Sequence, residues 1–177
     1  MSWKDLVTEE NVKKILNDFS DFEKSNNKPI VKLSVQELAG MIDHTLLKQD
    51  ATFSEIKQLC EEAMRFNFAS VCVNPSYVES CFKLIKSSNV KVCTVIGFPL
   101  GATTTQVKTL ETQEAIKNGA EELDMVINIG RLKDRDYDFI FNDIKTIADL
   151  SKKQFRTSKW ILATCLVSNE VKVAGCL

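Results

Sequence analysis

Glu121-Glu122-Leu123-Asp124-Met125-Val126-Ile127-Asn128 is an apolar run with a carboxylate set inside it. Its length and its Leu, Met, Val and Ile content read as a buried strand. A carboxylate at Asp124 is costly there unless something nearby pairs with it or uses it. Buried, paired carboxylates are where proton affinity is tuned, so Asp124 is a candidate for chemistry. Taken alone, it reads better as a strand cap or a loop anchor. The segments on either side shift that balance.

Immediately upstream, Val107, Leu110 and Glu114 lie on a helix that runs to Lys117 and is closed by Gly119. Downstream, Phe139, Ile140, Ile144 and Ile147 have helical spacing. Further out the same unit recurs. Met41–Leu47 reads as a first strand, and Thr52-x-x-Glu55 is a capping box opening a helix through Ile56, Leu59, Cys60 and Ala63. Ala69–Val73 is a second strand, followed by Pro75 in the first turn of a helix through Val78, Cys81, Phe82 and Ile85. Lys91–Gly97 is a third strand, Leu123–Asn128 the fourth and Trp160–Thr164 the fifth.

Apolar strands alternating with amphipathic helices predict an α/β fold with a parallel sheet. The unit length suits βαβ modules, in a doubly wound sheet or part of a (β/α)8 barrel. No G-x-G-x-x-G follows the first strand and no G-x-x-x-x-G-K-[ST] occurs, so a nucleotide-binding reading loses its main support. Polar residues recur instead at the expected strand ends: Asp43 and Thr45, Asn74, Gly97, Asp124 and Asn128, and Thr164. In a barrel those ends converge on one mouth.

The first 33 residues read as a helical extension and linker, and 34–177 as the partial barrel. Thr8 caps a helix to about Glu23 with Val12, Ile15, Leu16 and Phe19 on one face, and Ser25–Pro29 breaks it. Ser34-x-x-Glu37 is a second capping box. With 177 residues the chain suits one domain. A net charge of −1, with scattered basic residues, gives no field favouring nucleic acid or acidic membrane. No apolar stretch approaches a membrane span, and the N-terminus has no apolar signal region, so a cytoplasmic protein is expected. The six cysteines form no C-x-x-C pair and there is one histidine, His44, which predicts buried thiols rather than a disulfide framework or a zinc site. Strand alternation turns His44 away from Asp43 and Thr45, under a covering helix.

Four stretches together resemble the deoxyribose-phosphate aldolase family of class I aldolases. They are Ile42–Lys48 (IDHTLLK), Ala69–Pro75 (ASVCVNP), Val95–Gly101 (VIGFPLG) and Gly119–Asn128 (GAEELDMVIN), in the family's order and spacing, and the similarity runs from about Leu38 to Thr164. The resemblance implies a (β/α)8 TIM barrel, here an incomplete one of about five parallel strands. It implies reversible cleavage of 2-deoxy-D-ribose 5-phosphate to acetaldehyde and D-glyceraldehyde 3-phosphate, with no metal and no cofactor. A lysine forms an imine with the substrate, the protonated imine acts as an electron sink, and a carboxylate shuttles protons through water.

By the resemblance, Asp124 matches the proton-shuttling aspartate, Asp43 and Thr45 match residues near the substrate, Cys72 a pocket position, and Lys159 a lysine near the proton relay. Lys159 reads equally as a solvated residue at the bottom of its strand. The family's imine-forming lysine lies on strand six in a V/I-K-T-S-T-G motif, which the 177 residues do not contain. Lys48, Lys108 and Lys133 read as solvated surface lysines. A five-strand piece with unpaired edges and an uncovered inner face is expected to be marginally stable or to self-associate. The alternative to an aldolase is a non-catalytic barrel piece that binds a partner subunit.

Overall fold

The computed structural model describes residues 3–24 and 31–177; the expected linker at 25–29 lies outside them. Two helices lead, α1 (Trp3–Leu6) and α2 (Glu9–Lys24), followed by α3 (Val35–Ala39). The βα units come next: β1 (Asp43–Leu46), α4 (Phe53–Phe66), β2 (Ser70–Val73), α5 (Val78–Ile85), β3 (Lys91–Ile96), α6 (Thr105–Lys117) and β4 (Glu122–Val126). The chain then runs through α7 (Ile129–Lys133), α8 (Tyr137–Lys153), β5 (Thr157–Ile161) and α9 (Asn169–Cys176).

Local chemistry sets these boundaries. Ser34 and Thr52 each accept a hydrogen bond from the backbone N–H three residues on, and the Glu37 and Glu55 carboxylates accept from the backbone N–H of those caps, so both capping boxes form. The stretch after β4 holds two helices where the pattern predicts one. Asn128 caps α7, Asp136 caps α8, and Arg135 turns the chain between them at φ 60°. Asn128 therefore serves a helix start, not the mouth of the strands.

All five strands are parallel and lie in the order β1-β2-β3-β4-β5. A doubly wound sheet reverses its strand order at a switch point. Here each strand pairs with the next in sequence, the arrangement of a (β/α)8 wall. One face carries Val71, Val73, Val92, Ile96, Leu123, Met125 and Ile127, all buried against Ile56, Leu59 and Cys60 of α4, Cys81 and Ile85 of α5, and Ile140 and Ile147 of α8. The opposite face holds a smaller cluster of Cys72, Cys93 and Val95, with Leu47 beside it.

Two strand boundaries shift from expectation. β1 begins at Asp43, and β5 spans Thr157–Ile161, starting three residues earlier than its apolar run. The polar Thr157-Ser158-Lys159 start is held in the ladder because Glu122 and Asp124 of β4 lie opposite Thr157 and Lys159. Lys108, expected at the solvated surface, is instead fully buried. Its ammonium donates to Asp143 Oδ2 at 2.6 Å and to the Val126 carbonyl at 3.0 Å, tying α6 to α8 and to the end of β4. Helical periodicity places Lys108 one position from the exposed Val107, and periodicity carries no information about the aspartate across the interface. Lys48 and Lys133 are exposed, as expected.

Candidate active site

Side chains on the inner face, opposite the helices, converge on Lys159. Its ammonium lies 2.8 Å from Asp43 Oδ2, 3.0 Å from Glu122 Oε2 and 3.2 Å from Asp124 Oδ1. Asp43 is the first residue of β1, and its other oxygen accepts from Ser70 of β2 at 2.6 Å. Glu122 is shared with Lys91 of β3 at 2.8 Å. Three carboxylates and two ammonium groups from β1, β3, β4 and β5 thus form one network.

The expected rim position is corrected by this geometry. Asp124 is the third residue of β4 and Lys159 the third of β5, and they are register partners. The network sits across the strands, not at their C-terminal ends. The hydroxyl of Thr45 donates to the Asp43 carbonyl at 2.8 Å and is exposed. Cys72 is buried beside Cys93, its register partner on β3. His44 points the other way, as alternation requires: its Nε2 is 2.8 Å from Glu62 of α4 and its ring packs on Phe68.

The electrostatics divide these groups. Burial opposes ionisation of Asp43, yet hydrogen bonds from Lys159 and Ser70, with the Lys159 charge, hold its carboxyl below the ordinary range. Glu122 is likewise depressed: burial is outweighed by the two lysines. Asp124 goes the other way. Burial raises its proton affinity, and the Lys159 charge offsets that only in part. Although the ammonium is near, Asp124 Oδ1 is buried and receives no hydrogen bond, so the carboxylate is the least satisfied of the three. Burial also works against the Lys159 charge, but Asp43 and the neighbouring anionic groups push its proton affinity above that of an ordinary lysine.

A lysine held so firmly protonated has no free amine with which to attack a carbonyl. Lys159 is suited to fixing charge beside Asp124, and Asp124 to gaining and losing a proton. The Cys93 thiol is kept protonated by its hydrogen bond to Cys72 and by burial.

Sequence reading missed Glu122, Lys91, Ser70 and Cys93. A signal was available for Glu122: it lies two residues before Asp124 and so shares its face. The others gain their partners from register between strands, which no single segment records.

Comparison with known proteins decides the family. The pattern of the DeoC/LacD family aldolases matches residues 38–156. The chain belongs to that family. A deoxyribose-phosphate aldolase from Clostridium perfringens is 57% identical over 141 residues, 80% of this chain and 62% of its own length. One from Clostridium kluyveri is 50% identical over 141 residues, covering 80% of this chain and 64% of that protein. Among solved structures, a Coccidioides immitis candidate deoxyribose-phosphate aldolase superposes with a TM-score of 0.80 at 35% identity, over 92% of this chain and 65% of that one. The tetrameric deoxyribose phosphate aldolase of Aeropyrum pernix does so at 0.70 and 30%, over 80% and 62%. The chain spans less than two thirds of the length of these family members. Asp43, Thr45, Cys72 and Asp124 lie inside the stretch that matches the family, and Lys159 just beyond it.

Proposed function

We propose that this chain carries the proton-transfer half of a Schiff-base aldolase that cleaves 2-deoxy-D-ribose 5-phosphate to acetaldehyde and D-glyceraldehyde 3-phosphate. The observation that supports it best is the pairing of Asp124, whose proton affinity is raised and whose buried oxygen lacks a donor, with an ammonium 3.2 Å away. Asp124 takes the hydroxyl proton as the C–C bond breaks and returns one to the enamine carbon, with water between. Lys159 stabilises its anionic form, while Asp43 and Glu122 hold Lys159 in place. Thr45 and Cys72 line the approach from β1 and β2. In the family the imine-forming amine lies in a K-T-S-T-G stretch, which these 177 residues do not contain.

Borohydride trapping with acetaldehyde tests this directly. The chain alone should yield no lysine adduct. Supplied with the C-terminal third of a family member, it should yield an adduct on the added segment and cleave the sugar phosphate, and Asp124→Asn should abolish cleavage while leaving the adduct. An adduct on Lys159 would overturn the assignment, as would cleavage indifferent to Asp124→Asn.

Self-association in the cytoplasm is part of the proposal. β1 and β5 end the sheet with one paired side each, and the Aeropyrum pernix relative is a tetramer. Sizing chromatography should give more than one chain per particle; a dispersed monomer with a sharp thermal transition would refute it. Among the described residues no helix is long and apolar enough to cross a membrane.

A further inference from the structure

We propose that Cys72, Cys93 and Asp124 form a binding site for one thiophilic divalent cation, Zn2+ or Cd2+. The three ligand atoms come from β2, β3 and β4 and lie within 4.8 Å of one another. That spacing suits an ion bound by sulfur at about 2.3 Å and carboxylate oxygen at about 2.0–2.2 Å. It is the one such group of three among the described residues.

Three independent features support the site. The cysteines are register partners, so their side chains leave the sheet on the same face, and both are buried in rigid strands. The third donor, the Asp124 carboxylate, makes the longest of the three Lys159 contacts, 3.2 Å against 2.8 and 3.0 Å, so it is the one most readily released to an ion. A two-sulfur, one-oxygen set favours soft or borderline cations over Mg2+ and Ca2+, which take oxygen ligands. The contrast within this chain is informative. Cys60 and Cys81 also pair thiol to thiol, but they lie in the helix-side core with no carboxylate in ligating reach. Sequence spacing could not announce the site, since each ligand sits on a different strand and none belongs to a C-x-x-C pair.

Both thiols bind by giving their protons to solvent. Two sulfur–metal bonds and one oxygen–metal bond form, two protons leave, and nothing is oxidised or reduced. The charges then balance: two thiolates offset the cation, and the surrounding three carboxylates and two lysines are unchanged in number. The ion takes over from the Lys159 ammonium, which lies 3.8 Å from the Cys93 sulfur and 3.2 Å from Asp124; Lys159 gives up both and keeps Asp43 and Glu122. Under the proton-transfer reading above, on which this consequence alone rests, an occupied site is an inhibited one, because its metal holds the oxygen that must carry the proton.

The test uses the 177-residue chain and cadmium chloride, read by the thiolate-to-metal ultraviolet band and by cadmium NMR. The parent should saturate at one equivalent, with a resonance in the range of two sulfur ligands. Cys72→Ser and Cys93→Ser should each abolish the band, Asp124→Asn should weaken binding by about tenfold or more, and Cys60→Ser should change nothing. Circular dichroism identifies any variant that fails to fold, and the parent's NMR shift judges the donor set without a variant. A band that survives Cys72→Ser with Cys93→Ser overturns the site, as does an all-oxygen shift or Asp124→Asn binding as tightly as the parent. These readouts need no aldolase activity, so failure of the site and failure of the proton-transfer reading remain separate results.

Discussion

Replacing Lys108 with methionine isolates the cost of one buried charge. In the parent, Lys108 and Asp143 are 0% and 1% exposed, and their contact is 2.6 Å. Asp143 also accepts from Thr105 at 2.7 Å, and the ammonium also serves the Val126 carbonyl. Lys108→Met keeps most of the apolar stem, which passes under Gly97. It leaves Asp143 buried with the Thr105 hydroxyl as partner and strips a donor from Val126. Breaking a buried pair from one side costs about 3–5 kcal/mol, because the surviving charge is uncompensated. A domain's whole stability is about 5–15 kcal/mol, so the variant should lose about a fifth or more of it. Removing both charges, Lys108→Met with Asp143→Leu, should cost less than the two single losses summed, since no charge is then left buried alone and only the Thr105 hydroxyl and the Val126 carbonyl lose a partner. Urea unfolding with unchanged slopes measures all of this, and the double-variant cycle gives the coupling. A loss below about 1 kcal/mol for Lys108→Met, the scale of exposed pairs, would refute the buried strut. So would single losses that simply add in the double variant.

Three further outcomes are expected. Asp43→Asn should destabilise the chain above about pH 4 and lose that effect as the pH falls through the depressed native value, because a lowered carboxyl stabilises only while ionised; denaturant midpoints across pH check it, and a gap that widens in acid contradicts it. Gly101→Ala should cost more than about 1–2 kcal/mol, the strain of a side chain at φ 65°, because its Cβ would also overlap the Ile127 carbonyl oxygen; a thermal midpoint equal to the parent's would show that the loop after β3 can withdraw from β4. Thr52→Ala should cost about 0.5–2 kcal/mol by removing the cap that opens α4, with Thr52→Ser restoring most of it in the same urea assay.

Features generated locally were legible in the sequence. Ser34 and Thr52 announce their helices because a cap and its partner lie three residues apart, and His44 faces away from Asp43 because a strand alternates. The order of strands was less accessible: the same βα repeat serves a doubly wound sheet, and only the ladder β1-β2-β3-β4-β5 separates the two. Lys108 looks solvated from the sequence because its partner Asp143 lies 35 residues away, and nothing in α6 marks which polar residue the core will accept. Lys159 was ambiguous for a related reason. Its neighbours Ser158 and Thr157 look like a polar lead-in, and the carboxylates that hold it in the strand belong to β1 and β4.

The network on the inner face explains why both charge types are present there. A single buried carboxylate at Asp124 would neutralise itself by taking a proton. A single lysine devoted to it would keep it ionised and make it a much weaker base. Here the lysine is divided among three carboxylates, and two of them, Asp43 and Glu122, take the shorter contacts. Their carboxyls fall below the ordinary range while that of Asp124 stays above it. Asp43 and Glu122 therefore do more than anchor Lys159: by drawing its ammonium toward themselves they leave Asp124 under-stabilised as an anion. Under the proposed proton transfer, Asp124 needs that intermediate state to accept and return a proton, and the strand register that seats Lys159 opposite Asp124 is what sets it.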